Sequence, residues 1–588
     1  MDARNSAQTG GRGQRRRTGR FAGVMVLLSV VAASAITGYM LWNRYAPNTA
    51  HEEPDFGGFS KPILYQGKLW EESGKGSEAS LKLPYSLISQ VIDPAALYEE
   101  KSDSFIVTTG DKVLRMKSDA LTAQLNDKPL TLKFPVEKAG KSVLVPIDPL
   151  RGLYPIELRE SADTGAVILV KAGDTLQWAK PAQQAANDKK TAVMRTKPTV
   201  KAPIVADIKA EDALLIWGEA AEGEWYETQL PNGITGYMRK QDVVLDRVET
   251  IPTPAAATSA ASVKPMSGLV NLTWEHVIDK NPDVRTIGPM PGVNVVSPTW
   301  FNLADGSGTV RNNADAGYVK WAQDRGYHVW ALFSNGFDPK RTNEALATFD
   351  SRNKVIKQIV SFVQMYKLQG INIDFENVNL ADKEEFTQFV RELTPMLHEQ
   401  GAVVSVDVTP KSTNENWSMF YDRKALAQTV DYMMVMTYDE HWATSPKSGP
   451  VSSLPWMENS ITRILREDQV PSSKLVLGIP YYTRIWAEET KDGKSLGKSD
   501  GKPRSVGMNT IKQLLTDKKL TPVFQAEIGQ NYVEFMEDNK LKRIWLEDEV
   551  SIKARLELVK KYNLGGVATW RRGMELPETW KWIEDGLK

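Results

Sequence analysis

Cysteine is absent from the 588 residues of this chain. This absence excludes disulfides, thiolate metal sites and a cysteine nucleophile. Histidine is scarce, and no two of the five histidines have the His-x-x-x-His spacing of a helical zinc site, so a zinc hydrolase is not expected and no metal is predicted. The five are His51, His276, His328, His398 and His441. An excess of charge is also missing, since 73 basic residues balance 73 acidic ones. The chain therefore has no global field that would attract nucleic acid.

What is present is ordinary globular composition, with 41% hydrophobic and 25% charged residues. The length is too great for one domain and favours three or four. Tryptophan is the exception, with 17 residues, most of them in the C-terminal half. Large barrels bury tryptophan in their cores, and sugar-binding sites also use flat aromatic faces. Abundance alone leaves both interpretations open.

The N-terminus predicts a membrane anchor. Residues 1–20 form a polar, arginine-rich tail, and residues 21–42 contain no charge. This apolar length spans a bilayer core as a helix, and the arginines before it predict a cytoplasmic N-terminus with the rest of the chain outside. The alternative is a secreted protein whose signal peptide is cleaved at Ala33-Ser34-Ala35. We favour the uncleaved anchor because the apolar run continues beyond Ala35.

Residues 58–178 alternate short apolar runs with turn signals, which predicts a small domain rich in strands. The segments Leu83-Pro84-Tyr85-Ser86-Leu87-Ile88 and Val145-Pro146-Ile147-Asp148-Pro149-Leu150 resemble the paired signatures of copper amine oxidase N-terminal-like modules. Such modules are common in exported wall-associated bacterial proteins. Despite the name of the module no copper ligands are evident, so we interpret the domain as a spacer or wall-contacting unit.

Residues 190–247 predict a second small β domain, with Asn232-Gly233 as a hairpin turn. The pattern that ends in Gly236-Tyr237-Met238 is similar to bacterial SH3-like domains, which often contact cell-wall peptide or glycan. A packed barrel without a ligand is an equally open interpretation. Residues 248–268 contain three prolines and many alanines and are expected to be a semi-stiff linker.

From residue 269 to 588 the pattern changes to apolar strands separated by long helical stretches. Repetition of this kind over about 300 residues predicts an α/β fold of the (β/α)8 TIM barrel type. An eighth strand is expected between Asn302 and Val310, and the stretch from Arg484 to about Trp545 predicts a small α+β insertion after strand seven. The other seven predicted strands are 293–298, 328–333, 370–376, 403–408, 432–437, 475–480 and 566–570.

The most informative segment is Leu-Gln-Gly-Ile-Asn-Ile-Asp-Phe-Glu, residues 368–376. In a strand, Asn372, Asp374 and Glu376 share one face, and the apolar residues between them share the other. One face of a barrel strand packs on helices and the other lines the interior. The last carboxyl then lies at the C-terminal end of the strand, where barrel enzymes carry out their chemistry. A half-solvated strand is the alternative, which is costly because buried ionised groups need a purpose or a partner.

Three signatures in this region resemble glycoside hydrolase family 18, the chitinase-like barrels. Gln369-Gly370-Ile371-Asn372-Ile373-Asp374-Phe375-Glu376 is similar to the family's Asp-x-x-Asp-x-Asp-x-Glu, and Met436-Thr437-Tyr438-Asp439 to its Met-x-Tyr-Asp. Trp570 closes strand eight, where the family keeps a tryptophan under its sugar. Ser297-Pro298-Thr299-Trp300-Phe301 and the Asn372 variant look most like the peptidoglycan-lytic, spore cortex-lytic members.

This resemblance implies a substrate-assisted mechanism in which the substrate's 2-acetamido oxygen is the nucleophile and an oxazolinium intermediate forms. Glu376 is then the catalytic acid and base, Asp374 orients the acetamide, and Tyr438 hydrogen-bonds its carbonyl. Predicted substrate contacts are Asn372, Met436, Asp439, Trp300 and Trp570; for Asp439 and Trp300 a structural role at the mouth is equally open. Asn372 replaces an aspartate of the family, which weakens the expectation of a proton shuttle.

The leading hypothesis is thus a membrane-anchored, extracellular hydrolase that cuts β-1,4 bonds after N-acetylglucosamine in peptidoglycan. It is expected to be a monomer without a cofactor. A chitinase with the same site is the second hypothesis, and a non-catalytic glycan-binding wall protein is the third. Lectins of this fold commonly lack the acid, so the presence of Glu376 counts against the third.

Overall fold

The computed structural model describes residues 15–182, 192–221, 223–253, 263, 266–491 and 494–588. It divides into two compact units. One comprises residues 1–92 and 138–255, and the other comprises residues 93–137 and 256–588. Most of the linker predicted at 248–268 lies outside the described residues.

The larger unit contains a closed barrel of eight parallel strands. Each strand pairs with its neighbours, and β3 also pairs with β2 to complete the circle. This confirms the predicted (β/α)8 fold. The strands are β1 Val270–Glu275, β2 Val295–Pro298, β3 His328–Ser334, β4 Gly370–Asp374, β5 Val403–Val408, β6 Tyr432–Val435, β7 Leu475–Pro480 and β8 Gly566–Trp570.

The alternation of side chains along β4 separates two cores. Ile371, Ile373 and Phe375 are fully buried in the layer between strands and helices. Asn372 and Asp374 point to the other side, into the barrel, whose interior layer includes Trp274 and Trp330. The two faces of the strand are therefore as predicted.

Helices surround the barrel and bury their apolar stripes against the strands. The helix after β4 starts directly after Asp382, and Phe386, Phe389 and Leu393 face the core. Asp382 does not cap it, because its carboxylate accepts hydrogen bonds from Asn343 and Asn379 instead. The surrounding helices are Ala316–Asp324, Pro339–Leu346, Phe349–Tyr366, Lys383–His398, Arg423–Thr429, Leu454–Glu467, Glu549–Tyr562 and Thr579–Leu587.

One strand prediction was wrong. The region between Asn302 and Val310 supplies no barrel strand; Phe301–Leu303 and Val310–Asn312 form an antiparallel hairpin that lies beside β3. The turn between them contains Asp305, whose carboxylate accepts backbone hydrogen bonds from Ser307 and Thr309. The missing strand is β1, which begins directly after the predicted linker.

The predicted α+β insertion after β7 is confirmed. It consists of a twisted sheet and one helix, Met508–Asp517, and its long first strand continues from the barrel at Tyr482. Its strands are Tyr482–Lys491, Lys494–Ser499, Arg504–Gly507, Val523–Gln525, Gln530–Glu537 and Lys540–Trp545.

The same unit includes a five-stranded antiparallel meander from the N-terminal half of the chain. Ile106 and Val113 of this meander pack against Phe349, at the start of a barrel helix. Its strands are Leu97–Glu99, Ser104–Thr108, Val113–Lys117, Thr122–Leu125 and Lys128–Thr131.

The other unit is rich in strands and begins with the helix Arg15–Tyr45. Its part Gly23–Tyr45 is long and apolar enough to cross a membrane, and none of it is buried. A seven-stranded sheet contains the hairpin joined by the turn at Asn232-Gly233. Its strands are Thr175–Pro181, Ala192–Arg195, Ile204–Ile208, Leu214–Glu219, Trp225–Gln229, Thr235–Arg239 and Val243–Thr250. This unit also contains two smaller sheets. The strands of the first are Ile63–Tyr65, Lys68–Leu69, Ile156–Glu160 and Val167–Lys171. The strands of the second are Lys82–Pro84, Glu137–Ala139 and Ser142–Pro146.

Candidate active site

Glu376 lies two residues beyond the end of β4, at the C-terminal mouth of the barrel. Its backbone is held by the side chain of Asn335, which follows β3 directly. The Glu376 N–H donates to Asn335 Oδ1 at 3.1 Å, and Asn335 Nδ2 donates to the Glu376 carbonyl at 2.8 Å. The Tyr421 hydroxyl donates to the preceding carbonyl, that of Phe375, at 2.8 Å. The position of the acid is thus fixed by buried side chains of two other strand–helix units.

Asp374 is the last residue of β4 and is only 8% exposed. Its Oδ1 is buried and makes no hydrogen bond within the described part of the chain. Burial raises the pKa of Asp374 to about 7. Burial, followed by repulsion from Asp374 and Asp439, also raises the pKa of Glu376 well above its ordinary value. Both effects favour the protonated form of Glu376, which is the form that a general acid requires.

Asn372 is fully buried in the barrel interior, and its amide group is saturated with partners. Its Oδ1 accepts from Trp274 Nε1 at 2.8 Å, and its Nδ2 donates to Ser405 Oγ at 3.0 Å and to Asp407 Oδ1 at 2.8 Å. In this structure Asn372 supports Asp407 and leaves no group free toward the mouth.

Asp407 is a site residue that the sequence analysis missed. It lies near the end of β5 and is 1% exposed. Burial, then repulsion from Asp374, raises its pKa, while the hydrogen bond from Asn372 opposes the shift. The signal for it was present, because Val403, Ser405 and Asp407 alternate along β5 as the polar residues of β4 do.

Tyr438 and Asp439 follow β6 at the same mouth. The Tyr438 ring lies 6.3 Å from that of Tyr482, and burial, then the charge of Asp407, raises the pKa of its hydroxyl, which stays a hydrogen-bond donor. Asp439 has a left-handed backbone with φ of 64°. Its carboxylate accepts a hydrogen bond from Tyr482 and pairs with Arg484 at 2.9 Å. Tyr482 and Arg484, at the start of the insertion, were not predicted.

The remaining predicted contacts differ in accessibility. Trp570, at the end of β8, is partly exposed, and its ring lies 5.8 Å from that of Trp274. Met436 is buried beside β6, and its N–H donates to the Val408 carbonyl. Trp300 is fully buried, and its indole N–H donates to Asn281 at 2.6 Å. Trp300 therefore offers no face to a ligand in this structure.

These residues place one carboxyl group at the mouth and two buried carboxyl groups below it. Within the described residues, no three or more His, Cys, Asp or Glu side chains form a group suited to a metal ion. A parallel barrel with a glutamate at its mouth, buried aspartates beneath it and a partly exposed tryptophan contains the groups that acid–base catalysis requires.

Residues 301–575 match the profile of glycosyl hydrolases family 18. The barrel therefore contains a glycoside hydrolase family 18 domain.

Several known proteins are similar to this chain. The uncharacterized glycosylase YvbX of Bacillus subtilis (strain 168) is 26% identical over 308 residues, which is 50% of this chain and 85% of the relative. The putative sporulation-specific glycosylase YdhD of the same organism is 24% identical over 59% of this chain and 83% of the relative. The cortical fragment-lytic enzyme of Bacillus anthracis is 26% identical over 43% of this chain and 58% of the relative.

Among solved structures, the C-terminal domain of a putative chitinase from Desulfitobacterium hafniense DCB-2 is 24% identical. The match covers 55% of this chain and 100% of that chain, with a TM-score of 0.48. The spore cortex-lytic enzyme SleL of Bacillus megaterium QM B1551 is 19% identical over 60% of this chain and 79% of that chain, with a TM-score of 0.47.

Proposed function

We propose that this chain cleaves the β-1,4 bond after N-acetylglucosamine in peptidoglycan, with retention and with the substrate's own acetamide as nucleophile. The observation that carries the proposal is the separation of roles among the carboxyl groups. Glu376 is partly exposed at the mouth, whereas Asp374 and Asp407 are buried beneath it.

A retaining enzyme that uses its own nucleophile holds two carboxyl groups about 5–5.5 Å apart across the scissile bond. Asp374 precedes Glu376 by two residues of extended chain, about 6.6 Å of rise, and points into the barrel. It is poorly placed to attack the anomeric carbon. Substrate assistance removes the need for that attack, because the acetamido oxygen forms the new bond to the anomeric carbon.

In the proposed reaction, Glu376 protonates the leaving oxygen and later removes a proton from the attacking water. Asp374 accepts a hydrogen bond from the acetamide N–H with its unpartnered Oδ1 and stabilises the positive oxazolinium. Tyr438, whose hydroxyl stays protonated, donates to the acetamide carbonyl. The partly exposed face of Trp570 receives the sugar ring.

Peptidoglycan is favoured over chitin by the cortical fragment-lytic enzyme among the relatives and by the apolar N-terminal helix. A membrane anchor raises the local concentration of an enzyme only toward a substrate next to the membrane. Chitinases also occur among the relatives, so chitin is the second candidate substrate.

The test is release of reducing ends from purified peptidoglycan and from colloidal chitin. We expect faster release from peptidoglycan, and a loss of about 10²–10⁴-fold in kcat for Glu376→Gln, because the general acid is removed. Glu384→Gln is the matched control, since Glu384 is exposed on the following helix. Full activity of Glu376→Gln would show that Glu376 is not the general acid. Equal cleavage of glycans without N-acetyl groups would exclude substrate assistance.

We also propose that residues 21–42 anchor the chain in the membrane, with the barrel outside. In bacterial membranes washed with alkaline carbonate, the full-length chain should remain in the pellet with its complete mass. A chain that starts at Ile36 would show instead that cleavage occurs after Ala33-Ser34-Ala35.

A further inference from the structure

A cationic group lies next to Trp570 that the proposed chemistry does not use. Arg571 follows Trp570 at the end of β8, and His276 follows the end of β1. The His276 ring lies 5.9 Å from the Trp570 ring, in an edge-on arrangement. β1 and β8 pair side by side with Thr273 opposite Thr569, so the residues that follow the two strands emerge at the same place on the barrel mouth. Arg571, His276 and Trp570 therefore share one side of the barrel mouth.

Arg571 differs from its neighbour Arg572 in its partners. Arg572 makes two hydrogen bonds to the carboxylate of Glu275, one of them 2.9 Å long. The Arg571 side chain is partly buried, yet it makes no hydrogen bond or ion pair in the part of the chain that the structure describes. An arginine presents five N–H donors, and the partly exposed donors of Arg571 are open to an acceptor from solvent.

The carboxylates around Arg571 already accept hydrogen bonds from other donors. Glu275 and Glu575 act on Arg571 electrostatically. Glu275 is bound by Arg572, and Glu575 accepts the Gly573 N–H at 2.6 Å. A carboxylate from outside the chain would therefore find donors at Arg571 that no acceptor among the described residues uses.

We propose that Arg571, with His276 beside it, forms an anion subsite at the edge of the sugar site, and that it binds a carboxylate carried by muramic acid in peptidoglycan. This inference rests on the proposed function. In peptidoglycan every second sugar carries a lactyl ether on O3, which ends in a free carboxylate or continues into a stem peptide with its own carboxylates. Chitin carries no such charge.

Planar guanidinium and carboxylate groups match in two parallel hydrogen bonds, which makes the contact directional as well as strong. With an N-acetylglucosamine ring on Trp570, the adjoining sugar is the muramic acid. Its O3 substituent is then the group within reach of a cation at the rim. The subsite would therefore select charged, alternating glycan over a neutral homopolymer.

The test compares kcat/KM for four glycans of equal length in the full chain. They are a chito-oligosaccharide, an alternating glycan with free lactyl carboxylates, the same glycan with these carboxylates as methyl amides, and the same glycan with stem peptides. We expect the wild type to prefer the carboxylate glycan over its amide by about tenfold, as one charge-assisted contact implies. In Arg571→Gln this ratio should fall to about one, and in Arg571→Lys it should fall only in part. Arg466→Gln, at an exposed site on the helix after β6, should keep the wild-type ratio.

The ratio compares two substrates in one protein, so it does not depend on the amount of folded variant. Preference for the peptide-bearing glycan over the peptide-free one, if lost in Arg571→Gln, would assign the carboxylate to the stem peptide. A wild-type ratio of one would overturn the subsite while leaving the proposed reaction intact. Cleavage of chito-oligosaccharide alone would overturn the peptidoglycan substrate and the subsite together.

Discussion

At the scale of single residues, the site is a group of carboxyls in one low-dielectric interior. Asp374, Glu376 and Asp407 all have a raised pKa, and burial is the largest cause for each. Each carboxyl group also raises the pKa of at least one neighbour by repulsion. The three groups therefore do not lose their protons independently of one another. Asn372 is the neutral member that binds Asp407 without adding charge.

The raised pKa of Asp374 predicts how stability depends on pH. The folded value of about 7 lies above the ordinary 3.8, so the folded state holds this proton more tightly. That contribution is complete below about pH 4 and is lost as pH rises toward 7. The Asp374→Asn variant has no such proton to lose. Its unfolding free energy relative to that of wild type should therefore rise with pH over this range, by up to about 4 kcal/mol.

Urea denaturation of both proteins between pH 4 and 8 measures this difference. Asp279→Asn, at an exposed position before β2, is the control and should show no such trend. A difference between Asp374→Asn and wild type that stays constant with pH would contradict the raised pKa.

Asn372→Asp tests the neutral member of the same group. The change removes both N–H donors of Asn372 and places a second carboxyl at the 2.8 Å contact with Asp407. One of the two must then stay protonated. We expect a loss of about 1–3 kcal/mol in unfolding free energy at pH 5, and a larger loss at pH 8.

Thermal unfolding at both pH values measures the effect. Asn302→Asp makes the same chemical change in the hairpin beside β3 and should have little effect. A variant of Asn372 as stable as wild type at pH 8 would show that the interior accommodates a further charge.

At the scale of elements, the parallel register of β3 and β4 places Glu376 beside Asn335. Ser334 pairs with Asp374, so the next residue after each strand also lies side by side. Asn335 is therefore level with the Phe375–Glu376 peptide and binds both polar atoms of the Glu376 backbone. We infer that Asn335 is a positioning residue.

Asn335→Ala should lower kcat by about 10²-fold and change KM much less, because a displacement of about 1 Å is enough for such a loss. The pH profile should keep its shape, since the acid itself is unchanged. Asn343→Ala is the matched control, because Asn343 bonds to Asp382 and not to Glu376. Equal losses in the two variants would assign Asn335 a purely structural role, as would a kcat that stays at the wild-type value in a folded Asn335→Ala protein.

At the scale of the whole molecule, the meander of residues 97–131 and the barrel form one unit through a buried ion cluster. Arg352 lies between Glu99, at 2.8 Å, and Glu392, at 2.7 Å, and both Arg352 and Glu392 are 1% exposed. Glu99 also accepts the Phe349 N–H at 2.7 Å. The cluster joins a strand of the meander to two barrel helices.

Arg352→Met should destabilise this unit by about 3–5 kcal/mol, because it leaves two buried carboxylates without their cation. Lys128→Gln is the matched control, since it breaks a surface pair between the meander and Glu399, in which Lys128 is 80% exposed, and should cost at most about 1 kcal/mol. Calorimetric unfolding of the full chain measures both. If both variants lose a similar, small amount of unfolding free energy, solvent reaches the ion cluster around Arg352.

Several features of the fold follow from local periodicity in the sequence. These are the two-faced strand that leads to Glu376, the strand–helix alternation of the barrel, the insertion and the apolar N-terminal helix. Each follows from side-chain spacing within one element, where neighbours in sequence share a face. The hairpin at 301–312 was mistaken for a barrel strand because its short apolar runs carry no period that separates the two.

Contacts between residues that are distant in sequence follow from the tertiary structure and from no local pattern. Asn335 and Tyr421 reach the acid from 41 and 45 residues away, and Asp407 joins Asn372 across 35. The tertiary structure also determines which tryptophans are buried, so that Trp274, Trp300, Trp330 and Trp486 are core residues while Trp417 and Trp442 are exposed. Such contacts depend on strand register and barrel closure, which set distances between segments that no local pattern connects.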